Sequence, residues 1–348
     1  MKIVFTLFLF SIYWNIFSQQ THNSNFPFPK KANQFWFIAS YNIENLFDTE
    51  DGPNDDAEFL PQSPKQWNQE KYQKKLEKIS EVILKMHPNN IGPDVIGLIE
   101  VENEKVVQDL MKTGKLSEGK YEVVHYESAD KRGIDVALCF KTTSNIKLIN
   151  STYYRPYDDT DPNFFTRDIL HVTLLMEKSD TVHFFVNHWP SRRGGEESEE
   201  KRILVADLLE KKIDSIRAIN IHAKIIVMGD FNDNPSDWSI TETLKAKRNK
   251  EEVREGHLWN AMADLASQGK GTHKYKNEWN MLDQFMISHS LVHNKKGIRF
   301  HEAFIFNPDF IQEKEEKYKG SPLRTFVGNK YLGGYSDHFP ILLILSKK

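Results

Sequence analysis

The sequence predicts one large domain of α/β or α+β architecture, on three observations. Short apolar runs recur along the chain, stretches with helical periodicity lie between some of them, and no break in composition follows Phe35. The 348 residues suffice for such a domain. With 39% hydrophobic and 27% charged residues, the chain has enough apolar material for a core, which excludes wholesale disorder.

The strand candidates are Phe35–Tyr41, Val95–Ile99, Asp135–Phe140, His183–His188, Ala223–Met228, Leu282–Ser288 and Pro340–Leu345. Their continuous apolar character suits strands covered on both faces. Tyr72, Leu76, Ile79 and Ile83 fall on one helical stripe, and Ile203, Leu208, Leu209, Ile213 and Ile216 on another. The acidic run Glu196 to Glu200 opens this second helix, where carboxylates favour the positive end of the helix dipole. A solvated first turn therefore explains it better than a metal site does. Glu313 to Lys319 reads as a charged surface loop or helix.

Ahead of the domain, Lys2 precedes the apolar stretch Ile3 to Phe17, and Ser18 and polar residues follow. Residues 1–18 therefore read as a signal peptide, 19–34 as a polar linker and 35–348 as the folded domain. The apolar stretch is short for a membrane span, so no stable span is expected once it is removed. Cys139, the single cysteine, cannot form an internal disulfide and sits in an apolar run, as expected of a buried thiol. An exported chain without disulfides fits a periplasmic, cell-surface or extracellular location in a bacterium. The formal charge of −3 argues against a protein that coats nucleic acid through its overall field, so any such binding needs a local basic cleft.

Polar residues cluster where the apolar runs end: Asn42-Ile43-Glu44, Glu100-Val101-Glu102, Asn187-His188-Trp189, Gly229-Asp230-Phe231-Asn232 and Ser336-Asp337-His338-Phe339-Pro340. Singly each is weak, since Asn and Gly-Asp sequences are common in turns. No phosphate-binding loop, serine-nucleophile elbow or cysteine cluster for zinc competes with them.

In this order, the clusters resemble the endonuclease/exonuclease/phosphatase superfamily, whose fold is that of deoxyribonuclease I. Gly229-Asp230-Phe231-Asn232 and Ser336-Asp337-His338-Phe339-Pro340 are its most specific marks. Arg132 to Leu138 and Trp279 to Gln284 match more loosely, and the likeness spans Phe35 to Ser346. It implies an α/β four-layer sandwich of two mixed β-sheets flanked by helices, with the site at one rim. Glu100 falls at the family's metal-binding Glu, although Ile99 stands where members usually carry Gln. Asn42 matches the residue that helps place metal and phosphate, Glu44 a second acidic ligand of some members, and Asp283 the partner of His338. For His188 the partner is less defined; Glu127 lies near the matching region.

The chemistry is coherent. A hard cation, Mg²⁺ or Mn²⁺, prefers oxygen ligands such as Glu100 and Asp337. Asp230 can deprotonate an attacking water, and Asn232 can hold it without adding charge. His188 and His338 can donate hydrogen bonds to developing negative charge. Arg132, Arg167, Arg192 and Arg193 are candidates for substrate phosphates, and Asp135, interrupting an apolar run, for a buried partner of one of them. Trp189, Trp279 and Tyr335 could stack on a base or sugar. Thr272 and His273 read as loop residues. The expected function is metal-dependent hydrolysis of phosphodiesters, with DNA or RNA as the leading substrates. A phosphatase or lipid phosphodiesterase is the alternative enzyme, and a catalytically silent binding protein the remote one.

Overall fold

A computed structural model describes residues 34–347 apart from Lys178 and Lys295. The expected signal peptide and nearly all of the linker lie outside the described residues. Gln34, the last residue assigned to the linker, already belongs to the first strand.

In chain order the elements are β1 (Gln34–Leu46), α1 (Gln69–Lys85), β2 (Val95–Val101), α2 (Glu104–Met111), β3 (Tyr121–His125) and β4 (Asp135–Lys141). These are followed by β5 (Ile146–Tyr154), β6 (Ile169–Met176), β7 (Asp180–His188), α3 (Glu196–Ile219), β8 (Lys224–Asp230), β9 (Leu258–Asn260) and α4 (Ala263–Ser267). The chain closes with β10 (His273–Tyr275), β11 (Glu278–Asn280), β12 (Asp283–Ser288), α5 (His289–His293), β13 (Arg299–Ile305), β14 (Phe326–Val327), β15 (Lys330–Tyr331) and β16 (Ile341–Lys347).

Two six-stranded sheets form, in the orders β13-β16-β1-β2-β4-β3 and β5-β6-β7-β8-β12-β9. Each is mixed: β1 and β2 run parallel in the first and β7 and β8 in the second, while their other pairings are antiparallel. A parallel pair needs a long crossover, and α1 and α3 supply them.

The sheets pack face to face. Trp36, Ile38, Val95, Leu138 and Leu343 from one meet Val172, Phe184, Val186, Met228 and Phe285 from the other in a single core. Outside the second sheet, Val205, Ala206, Leu209 and Ile213 of α3 pack on Phe185, Ile225, Val227 and Met286. Outside the first, α1 packs on β1 and α2 on β2 and β3. The α/β four-layer sandwich is the expected one.

Local chemistry accounts for the helices. Asn68 caps α1 by accepting from the Lys71 backbone N–H at 3.1 Å, and its stripe Tyr72, Leu76, Ile79 and Ile83 is buried. The buried face of α3 differs from the expected stripe. It is centred on Arg202, Val205, Ala206, Leu209 and Ile213, with Leu208 and Ile216 at its margin. A buried arginine inside the face hides its true centre from a count of apolar residues alone. Glu197 in the acidic first turn pairs with Lys201 at 2.6 Å, as a solvated turn requires. Cys139 is a buried free thiol. Among the described residues no helix is long and apolar enough to cross a membrane.

Candidate active site

The carboxyl ends of the two parallel pairs meet at one rim, the usual position of a site in sheets of this kind. Backbone irregularities aim the side chains there. The register of β1 against β2 shifts between Asn42 and Leu46, and Glu44 and Asn45 have φ of 54°. The β2–β4 register shifts between Ile99 and Val101, with Glu100 at φ 66°. Non-glycine residues in the left-handed region are strained, and the strain holds the polar groups out of the strand ladder. In β8, a Cβ on Gly229 would lie 2.0 Å from the Asn187 carbonyl oxygen of β7, so only glycine lets the chains approach there. That approach sets Asp230 opposite His188.

Asn42, fully buried, is the hub. Its amide donates to Glu100 Oε1 and to Asp230 Oδ2, both at 3.1 Å, and its Oδ1 accepts from the Glu44 N–H at 3.0 Å. Glu100 Oε2 accepts from the Asn45 N–H at 3.0 Å. Ser336 Oγ donates to the Asn42 carbonyl at 2.6 Å and accepts from the His338 N–H at 3.1 Å, so this serine ties the last motif to the first. Asp283 Oδ2 lies 2.7 Å from His338 Nδ1, and Asp230 Oδ2 lies 3.8 Å from Nε2 of both His338 and His188. Asn232, at φ 50°, donates its N–H to Asp230 Oδ1 at 2.9 Å and its side-chain amide to the Trp189 carbonyl at 3.0 Å.

This packing separates the titration of the two histidines. Burial pushes the His338 imidazole down, but Asp283, Asp230 and Asp337 outweigh it and hold its pKa well above the ordinary value. Burial, aided by Arg167 and Arg132, holds His188 well below. The two imidazoles are thus driven in opposite directions, and His188 Nδ1 is buried without a hydrogen-bond partner. Burial raises Asp230 to about 6, with His338 pulling down and Asp283 and Glu100 pushing up. For Asp337 burial acts upward, yet His338, His273, Arg324 and Lys75 leave the carboxyl below its usual range.

Asn42, Glu100, His188, Asp230, Asn232, Asp283 and His338 thus converge, and Asp337 directly precedes His338. Glu44 does not act as expected. Its Oε2 accepts from the Thr325 N–H at 2.5 Å and its Oε1 from the Phe326 N–H at 3.2 Å, so it anchors a loop instead of facing a metal. Burial raises it to about 7.

The expected substrate contacts are largely overturned. Arg167 is buried, donating to the His188 and Trp189 carbonyls and to Asp130. Arg192 is consumed by the Asn232 carbonyl, Asn280 and Asp237. Trp189 is fully buried against Phe231, with its indole N–H on Asn187. Tyr335 is buried between Phe310 and Glu81. Arg167, Trp189 and Tyr335 were read as rim surface but are buried, whereas Arg192 is exposed yet already engaged by protein partners. Arg132, paired with Asp130 at 3.5 Å, and Arg193 remain exposed. Asp135 faces His125 at 3.3 Å, not an arginine, and Glu127 lies 3.9 Å from His125 rather than beside His188.

Three residues escaped the sequence reading. His273, taken for a loop residue, forms a bridge with His338, their rings 4.8 Å apart. Lys75 is fully buried and donates to Thr325 Oγ1 at 2.5 Å and to the Tyr335 carbonyl at 2.7 Å. Its place beside Leu76 on the apolar stripe was the available signal. Arg324, whose charge reaches Asp337, sits in a stretch with no strand pattern.

The family model described as Endonuclease/Exonuclease/phosphatase family matches residues 37–347. No curated protein matches the sequence. Among solved structures, a humanized D. rerio TDP2 superposes with a TM-score of 0.56 at 12% identity, covering 90% of this chain and 99% of that one. The Bacteroides thetaiotaomicron mannosyl-6-phosphatase gives 0.56 at 15% identity, with coverages of 89% and 99%. The human Nocturnin catalytic domain, solved with a bound sulfate anion, gives 0.54 at 19% identity, with coverages of 90% and 95%. At these identities the likeness is one of fold, but the sequence model spans nearly all of the described residues. The chain belongs to the endonuclease/exonuclease/phosphatase family.

Proposed function

We propose that the protein is an exported, divalent-metal-dependent phosphodiester hydrolase, with nucleic acid as its leading substrate. The observation that carries this reading is the convergence of the motif residues at one rim, where the Asn42 amide joins Glu100 and Asp230 at 3.1 Å each and Asp283 Oδ2 lies 2.7 Å from His338 Nδ1.

The residues fit a hard cation. Glu100 and Asp337 offer carboxylate oxygens, and each Glu100 oxygen accepts only one hydrogen bond from protein, leaving lone pairs for a metal. His273, Asp337 and His338 bring ligand atoms within 4.8 Å of one another, with His338 Nδ1 already 2.7 Å from Asp283 Oδ2. Glu100 and Asp337 would hold Mg²⁺ or Mn²⁺, which would supply neutralising charge to the phosphate and its leaving oxygen. Asp230 accepts the proton of the attacking water, oriented by the Asn42 amide and the Asn232 backbone N–H. His338 donates through Nε2 to the phosphorane oxygens, while Asp283 fixes Nδ1. His188, neutral, adds a hydrogen bond without competing for the metal.

The test is turnover of a small bis-aryl phosphodiester and of the matching monoester with Mg²⁺, Mn²⁺ or excess chelator. Metal-dependent diester cleavage is expected. Full turnover in chelator defeats the metal reading. Hydrolysis confined to the monoester defeats the diesterase reading and favours a phosphatase, the activity named for the B. thetaiotaomicron structure.

A further inference from the structure

A cleft of about 650 Å³ opens between the β10–β11 hairpin and the loops that carry β14 and β15. Its lining segments run directly into those of the site just described. Lys274 follows His273, which bridges His338, and Leu323 accepts the Tyr335 N–H at 2.6 Å, immediately before the Ser336-Asp337-His338 motif. Arg324 lines the cleft and its charge acts on Asp337.

The lining is cationic in a chain whose formal charge is −3. Lys274, Lys276, Lys317, Lys330 and Arg324 face it, against Glu313 and Glu315. Glu313 turns its carboxylate onto the Lys314 and Glu315 N–H groups at 2.8 and 3.1 Å. Among the described residues no carboxylate stands within ion-pair distance of Lys274, Lys317, Lys330 or Arg324. Concentrating unpaired cations in a cleft costs stability through mutual repulsion, which an anionic occupant relieves. Two aromatic rings stand out of the same surface: Tyr275 is 61% and Tyr318 49% exposed. Lys276 Nζ lies 5.3 Å from the Tyr275 ring centre and Lys317 Nζ 5.0 Å from that of Tyr318. Exposed rings interleaved with unpaired cations are the physical requirement of single-stranded nucleic acid, where the rings take base faces and the cations take phosphates. A monophosphorylated sugar needs neither the second ring nor the spread of charge.

We propose that this cleft is a subsite for nucleotides flanking the scissile phosphate of a single-stranded nucleic acid. The inference rests on the phosphodiesterase reading for its biological sense, but its binding test does not. Fluorescence anisotropy of a labelled oligothymidylate, measured on the full chain in chelator so that no cleavage intervenes, reports the subsite directly. The triple variant Lys274→Ala, Lys317→Ala, Lys330→Ala is expected to weaken binding about tenfold or more. It should also reduce the slope of log affinity against log salt by about 2, since each single-strand phosphate contact contributes about 0.7. Tyr275→Ala with Tyr318→Ala should weaken binding about tenfold with the salt slope unchanged, a split that a purely structural defect would not produce. Turnover of the small bis-aryl diester should be unaffected in both variants. Unchanged affinity and slope in the triple variant overturn the subsite, as does equal displacement of the oligonucleotide by mannose 6-phosphate at matched concentration. If binding falls as expected while no diester is turned over, the cleft stands as a single-strand binding site and the hydrolase reading fails.

Discussion

Asp230 carries two burdens. It is buried, accepts from the Asn42 amide and the Asn232 N–H, and its carboxyl is pushed up to about 6. A group whose folded pKa is raised this way costs stability once the pH exceeds its unfolded value. Asp230→Asn is therefore expected to lower kcat about a hundredfold or more, while the melting temperature at neutral pH stays level or rises. Near-normal turnover with a normal melting curve would remove it from the chemistry. Asp283 acts through its neighbour. With Asp283→Asn, His338 loses the carboxylate 2.7 Å from its Nδ1 that holds its pKa up, so its proton departs at lower pH. A kcat loss of about tenfold to a thousandfold, with the alkaline limb of the profile moved to lower pH, is expected; an unmoved limb would show that Asp283 does not set that titration. At this scale the sequence was most informative. The residues of the site cluster came from short polar motifs after apolar runs. The failures were residues whose types were read correctly but whose burial or protein partners were not. Arg167, Arg192, Trp189 and Tyr335 have the side chains of a substrate pocket and the contacts of a scaffold.

Among elements, most central strands were legible because both faces are covered and their apolar runs are unbroken; β6, buried but interrupted by His171 and Thr173, was missed. β5 and β13 were missed as well. Lys147, Leu148, Ile149 and Asn150 of β5 are exposed and every residue of β13 is half-buried, so neither shows a burial pattern that periodicity can detect. Both are edge strands, paired on one side only. The turn in β8 was read as a motif, but its reason lies in strand approach. Gly229→Ala places a methyl 2.0 Å from the Asn187 carbonyl at φ 139°, a conformation that L side chains rarely adopt. A destabilisation of about 3 kcal/mol or more is expected in urea unfolding. A loss below about 1 kcal/mol would show that β7 and β8 can move apart without cost.

Across the whole molecule, pH acts on stability through groups of opposite sense. His87, packed edge-on to Phe37, is lowered from 6.5 to about 4 by burial and by Lys141. The folded chain therefore holds fewer protons than the unfolded chain between those values, and stability falls as pH falls through the window. Glu44 and Glu102, both raised by burial to about 7, act the other way, so the bare stability curve does not isolate the histidine. The difference does. Relative to the parent, His87→Leu should gain stability steadily from pH 6.5 down to about 4 and hold level below; a difference that does not vary with pH would show that His87 titrates normally.

The division of the site between the sheets has a consequence for how the molecule assembles. Asn42 and Glu100 belong to β1 and β2, whereas His188, Asp230 and Asp283 belong to β7, β8 and β12. Neither sheet alone holds the candidate site, and one link across them is the Asn42 amide reaching Asp230 at 3.1 Å. On the proposed function, turnover is thus a clock for the last event of refolding. In a jump from denaturant, secondary structure can return while the two sheets remain apart, and turnover should begin only when they close on each other.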